Sequence, residues 1–165
     1  MKFFYFFVAV FVTITLKAQN TPERIEPEDL FEKIKSSGKP AVVQFWVPNC
    51  KAKEEIVQAY KKLVEKYSSE IDFYFVGITN LPDLIIELDN KLKFNYPFYY
   101  IGGDKNKDLI ERKMEFSDRL LKLLNKGAGG DFITLYIKDL RNINYDESID
   151  VDIEKILNNN KKFVN

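Results

Sequence analysis

The segment FWVPNC, residues 45 to 50, holds the only cysteine of the chain, Cys50, with Lys51 and Lys53 just beyond it. Before it runs AVVQFWV, a β-rich stretch that is apolar on both faces except for Gln44. After it, Ile56, Ala59, Tyr60, Leu63, Val64 and Tyr67 recur at helical spacing with lysines and glutamates between them. The thiol is therefore expected in the first turn of a helix that follows a strand buried inside a sheet. Unsatisfied N–H groups and the partial positive charge of a helix N-terminus favour a thiolate over a thiol, and the thiolate is the nucleophile. Cys50 is thus a candidate nucleophile, with Lys51 and Lys53 adding positive charge that assists its ionisation. Two further uses stay open: an idle, buried small hydrophobe, and an intermolecular disulfide that joins two copies of the chain.

Other chemistries find little support. The 165 residues include no histidine, which removes Ser-His-Asp and Cys-His hydrolases and histidine-ligated metal sites. GAGGD and IGGD lack the glycine spacing and following lysine of nucleotide-binding loops and read as turns. Asp72, Asp150 and Asp152 read as surface charges, since a calcium loop needs a longer series of oxygen ligands. The chain carries 25 basic and 25 acidic residues, with lysines interleaved among acids as in KAKEE. That balance gives no footprint for nucleic acid or an anionic membrane surface. No metal or cofactor is expected.

Positioning the thiol requires strands and helices in a particular order. TPERIEPEDLFEKIKSSGKP predicts a short amphipathic lead-in helix with Leu30, Phe31 and Ile34 on one side and Gly38 past its end. IDFYFVGITN predicts a second buried strand, joined to the first by a right-handed helical crossover and so parallel to it. LPDLIIELDNKLKF predicts another helix and NYPFYYIGG a third strand, with Tyr96, Phe98 and Tyr100 facing one side and Tyr99 the other. SDRLLKLLNKG predicts a helix capped by Ser117 and stopped at Gly127. FITLYIKD then predicts a fourth strand, INY a return hairpin, and DVDIEKILNNNKK a closing helix. The class is α/β, with a mixed sheet covered by helices on both faces.

FWVPNCKAKEEI resembles the active-site segment of the thioredoxin superfamily, in which a buried strand ends in Phe-Trp and a Cys-x-x-Cys motif opens the next helix. The strand and helix order from residue 26 to 162 follows that family, and the helix-strand unit over residues 81 to 103 resembles the insertion of its secreted redoxin branch. The resemblance implies that Cys50 is the attacking cysteine and that Lys53 stands where the resolving cysteine would be. It places Gln44 where thioredoxin carries a buried acid. It also implies that Trp46, Pro48 and Asn49, with a loop facing the nucleophile, contact substrate. In one register that loop is Asp131, Phe132 and Ile133, with Phe132 at the family's cis-proline position. In a second register the cis-proline is Pro97.

MKFFYFFVAVFVTITLKAQN has a lysine, an uncharged apolar stretch from Phe3 to Leu16, and a small residue at Ala18. It reads as a secretory signal peptide cleaved after Ala18, the alternative being an uncleaved anchor. Removing residues 1 to 18, which hold two lysines and no acid, leaves a net charge of −2. The expected organisation is a signal peptide over 1 to 18, a lead-in helix over 19 to 38, a thioredoxin-like domain over 39 to 162 and a tail over 163 to 165. The implied function is thiol-disulfide exchange through a single cysteine in the periplasm or outside the cell. Its partners would be the thiol or disulfide of a client protein or small thiol, or a second copy in a disulfide-linked homodimer. No nucleic acid, and no membrane after signal cleavage, is expected as a partner. The alternative is a redox-inactive binding module that offers the GAGGDF loop and the aromatic strand.

Overall fold

The strand AVVQFW forms as expected over Ala41–Trp46, and every residue in it is buried. It is β2 of a six-stranded sheet in a computed structural model that describes residues 21 to 127 and 131 to 157. The expected signal segment 1 to 18, the residues Ala128 to Gly130 of the glycine-rich loop and the tail 163 to 165 lie outside the described residues. In chain order the elements are β1 (Glu23–Ile25), α1 (Pro27–Ser37), β2, α2 (Lys53–Tyr67), β3 (Asp72–Gly77), α3 (Asp83–Leu92) and β4 (Phe98–Ile101). They continue with α4 (Leu109–Leu123), β5 (Thr134–Ile137), β6 (Ile143–Asp146) and α5 (Glu154–Leu157).

The sheet order is β1-β4-β3-β2-β5-β6. β2, β3 and β4 run parallel, as does β1 beside β4, whereas β5 is antiparallel to β2 and β6 returns antiparallel to β5. The inserted unit is α3 with β4, which wedges between β1 and β3. Alternation along β2 separates two cores. Val43 and Phe45 pack with Phe116, Leu120, Leu30 and Ile34 under α1 and α4. Val42 and Trp46 pack with Val57, Tyr60, Phe75, Phe98 and Ile156 on the side of α2, α3 and α5. Tyr96, Phe98 and Tyr100 join the second core and Tyr99 the first, the division that period-two alternation predicts.

Three local details differ from the sequence expectations. β1 is a strand where none is predicted: Ile25 is its one buried residue, and its carbonyl accepts from the Gly102 N–H at 2.8 Å. α2 begins at Lys53, not at Cys50. Two turns intervene, with Cys50 N–H donating to Val47 O at 3.1 Å and Lys53 N–H to Cys50 O at 3.3 Å, before the helical ladder starts from Ile56 N–H to Ala52 O. α4 begins at Leu109, because Asp108 supplies the cap by accepting from the Glu111 N–H at 2.8 Å. Ser117, the expected cap, is instead mid-helix and fully buried.

Candidate functional site

The carboxyl ends of β2, β3 and β4 and the start of β5 share one edge of the sheet, and Cys50 sits there. Pairing of β2 with β3 ends at Trp46 opposite Gly77, followed by Ile78 N–H donating to Trp46 O at 2.7 Å. The chain then leaves the sheet. Val47 is exposed and Pro48 is buried; a Cβ on Gly77 would stand 3.0 Å from Pro48 Cγ, so the proline ring rests on a surface that only glycine leaves open. Asn49 is exposed, Cys50 is a free, half-buried thiol, Lys51 is exposed and Lys53, first residue of α2, is half-buried.

Below the turn lies an aromatic stack. Trp46 meets Tyr60 edge-on at 6.0 Å and Phe98 at 5.3 Å, and Tyr60 lies parallel to Phe75 at 3.9 Å. Trp46 and Tyr60 are 1% and 2% exposed, so Trp46 supports the turn from beneath. Neither its indole N–H nor the Tyr60 hydroxyl has a hydrogen-bond partner among the described residues. Burial first, and the charge of Cys50 second, push the Tyr60 hydroxyl well above the ordinary phenol range. Gln44, on this same face, is fully buried; its amide donates to the Ile149 carbonyl while its own carbonyl oxygen has no partner.

The segment ahead of β5 reaches the same edge from the other face. Phe45 N–H donates to Ile133 O at 2.9 Å, which fixes Ile133 beside the end of β2. Phe132 is fully buried against Phe45 at 5.4 Å and Tyr145 at 6.1 Å. The buried ammonium of Lys113 lies over the rings of Phe45 and Phe132 and pairs with exposed Asp131. β5, the strand antiparallel to β2, begins at Thr134, so Ile133 stands directly ahead of it and Phe132 precedes Ile133. Pro97 is exposed and stands directly ahead of β4, whose first residue Phe98 pairs with Phe75 of β3.

Two residues of this edge escape sequence reasoning. Arg112 is 3% exposed and pairs with no carboxylate among the described residues; its guanidinium donates to Gly102 O, Ile101 O and Asn80 Oδ1 and ties the loops after β3 and β4 to α4. Tyr60 reads from the sequence as one of several helical core residues, and only its neighbours distinguish it. Among the described residues no cluster of three or more cysteines, aspartates or glutamates has the arrangement of a metal site.

A parallel β2-β3-β4 core, an antiparallel β5-β6 hairpin beside its central strand, helices on both faces and a cysteine just past the end of that strand define a thioredoxin-like α/β fold. No family model matches the chain, and no curated protein matches it in sequence. Three solved structures are partly similar. A secreted Mycobacterium tuberculosis disulfide oxidoreductase homologous to E. coli DsbE shares 19% identity over 46% of this chain and 53% of its own, with a TM-score of 0.36. Mycobacterium tuberculosis DsbF shares 17% identity over 65% of this chain and 68% of its own, with a TM-score of 0.38. A thioredoxin-like protein in the oxidized form shares 18% identity over 68% and 64%, with a TM-score of 0.36. The chain thus spans about half the length of the first of these, and the class rests on strand order and on the place of Cys50, not on these superpositions.

Proposed function

We propose that this chain is an exported, thioredoxin-like monothiol protein that exchanges disulfides through Cys50. The observation that carries the reading is a half-buried, unpaired thiol in the turn between the central strand β2 and helix α2. In the reaction the Cys50 thiolate attacks one sulfur of a disulfide on a client protein or small molecule. A new S–S bond forms to Cys50, the old S–S bond breaks, and the leaving sulfur takes the electron pair and then a proton from water. Cys50 is thereby oxidised and the client sulfur reduced. Lys53 carries no thiol, so a second thiol from solution or another protein resolves the mixed disulfide. Lys51 and Lys53 supply positive charge beside the sulfur. Asn49 and Asp131, both exposed, offer substrate contacts beside the buried Pro48, Trp46 and Phe132. Export is supported by the apolar leader over residues 1 to 18.

The test is alkylation of Cys50 across pH in the folded protein, read by mass spectrometry, with capture of mixed disulfides from oxidised clients. We expect Cys50 to be alkylated in the folded protein and to give a captured adduct that Cys50→Ser abolishes. A thiol that reacts only on unfolding overturns the reading. Cleavage after Ala18 is checked by the mass of the secreted protein. A second reading, a redox-inactive binding module, is favoured by exposed apolar side chains at the same edge: Val47, Leu81, Ile110 and Met114. It gains if client binding survives Cys50→Ser undiminished.

A further inference from the structure

The sheet ends in β6, and among the described residues no strand lies beyond it. Lys138 N–H donates to Asn142 O at 3.0 Å and Ile133 N–H to Asp146 O at 2.9 Å, so Asn142, Asn144 and Asp146 direct their main-chain groups toward β5. Ile143 and Tyr145, between them, direct theirs outward. The Tyr145 N–H is met by its neighbour's side chain, the Asn144 carbonyl oxygen at 2.9 Å. Neither lysine nor proline, the usual guards of an open edge, occurs in β6. The ring of Tyr145, a residue 42% exposed, lies against Phe132.

The run from Arg141 to Glu147, RNINYDE, complements itself when a second copy is laid antiparallel with Asn144 on a two-fold axis. We propose that two copies of this chain associate through β6 in that register, joining two six-stranded sheets into one continuous sheet. The contact is independent of Cys50 and involves no disulfide. Two-fold symmetry makes every contact occur twice. Ile143 of one copy faces Tyr145 of the other as a hydrogen-bonded pair, each N–H donating to the opposite carbonyl, which is the pair that their outward groups require. Asn144 then releases the Tyr145 N–H and meets Asn144 of the other copy in the closer, non-hydrogen-bonded kind of pair, where two amides can bond each other. The exposed Tyr145 ring comes to lie beside Ile143, an aromatic against a β-branched side chain. Charge sets the register. Arg141 lies in the turn before β6 and Glu147 in the bend after it, both exposed, and antiparallel pairing brings the Arg141 end of each copy to the Glu147 end of the other. No like charges stand opposite one another: Asp146 faces Asn142, and its carboxylate is already paired with Lys155. With only four residues in each strand the interface is small, so the association is weak and depends on concentration.

The test is analytical ultracentrifugation of the reduced protein over a range of concentrations, for the wild type, Arg141→Glu, Glu147→Arg, the double variant, and an equimolar mixture of the two single variants. Both substitutions fall on exposed side chains, and thermal melts check that every variant is folded. We expect the wild type to approach twice the mass of one chain as its concentration rises. Each single variant sets like charges together at both ends of the pair and should associate about tenfold more weakly. The mixture and the double variant place an acid opposite a base at both ends again, so both should regain the wild-type behaviour. A wild type that stays single at every concentration overturns the inference and leaves the edge of β6 to an extended segment of a client protein. Association that the single variants do not weaken, or that the mixture does not restore, overturns it too, because the contact then lies elsewhere on the molecule.

Discussion

At the scale of single residues, the site depends on a glycine that makes no contact through a side chain. Gly77 faces Trp46 across the β2-β3 pair, and a Cβ there would come within 2.9 Å of Ile85 Cδ1, 3.0 Å of Pro48 Cγ and 3.5 Å of Tyr99 O. Ile85 and Pro48 are both buried, so neither has free space to retreat into. Pro48 is also the more rigid of the two and opens the turn that ends in Cys50. Gly77→Ala is accordingly expected to cost about 1–3 kcal/mol through overpacking. It should also change the rate of Cys50 alkylation at fixed pH severalfold, as the displaced proline carries the turn with it. Denaturant melts and alkylation rates measured on one preparation check both; lost stability with an unchanged rate puts the whole adjustment in Ile85. The thiol itself was legible in the sequence, since a lone cysteine between a strand pattern and a helix pattern announces its position. Its surroundings were not. Nothing in ERKMEFSDRL marks Lys113 as a buried ammonium over Phe45 and Phe132, because sequence periodicity records which face a residue takes and not what lies opposite it.

At the scale of elements, the pattern of apolar residues found every long helix and the buried strands, and erred where side-chain chemistry sets a boundary. The start of α4 is one case: Asp108 and Glu111 satisfy the first turn, so the helix starts well before the point that a cap at Ser117 would allow. β1 is another, three residues long with one buried side chain, too short for alternation to register. What holds these elements to the sheet is partly Arg112. Its Nε donates to Gly102 O at 2.9 Å, one terminal nitrogen to Ile101 O at 2.7 Å and Gly102 O at 2.6 Å, and the other to Asn80 Oδ1 at 2.5 Å. A planar fork with five donors can meet three acceptors on two loops at once, and an ammonium on a flexible stem cannot. We therefore expect Arg112→Lys to lower stability by about 2–3 kcal/mol, and Arg112→Leu by at least as much, because buried carbonyls lose their donors. Urea unfolding reads the loss. A cost below about 0.5 kcal/mol for Arg112→Lys, the range of an ordinary surface change, shows that the fork does not hold the loops.

At the scale of the whole molecule, the sheet links ionisable groups that lie far apart in sequence. Tyr74 on β3 and Tyr99 on β4 pack at 5.9 Å on the face covered by α1, with Asp72 on β3 and Glu23 on β1 contributing negative charge. Burial first, then the carboxylates and neighbouring phenols, push Tyr99 up to about 12 and Tyr74 higher still. The direction of the resulting pH dependence follows from proton counting. Below about pH 10, the value of a free tyrosine, both folded and unfolded chains hold these protons and the fold is unaffected. Above it the unfolded chain releases them while the folded chain keeps them, so the unfolded state binds fewer protons and stability falls with rising pH until the folded phenols also ionise. Lysines whose ammonium is favoured in the fold, such as Lys107 and Lys155, lose stability over the same range and in the same direction. The difference between wild type and the double variant Tyr74→Phe with Tyr99→Phe isolates the phenols. That variant keeps the rings and removes the two titrating protons, so its denaturant midpoint should decline less steeply above pH 10 than that of the wild type, while the two behave alike near neutrality. Identical alkaline slopes would mean that the β1-β4-β3 side of the sheet opens to water before its tyrosines ionise, and that this half of the sheet is not held together with the strands that carry Cys50.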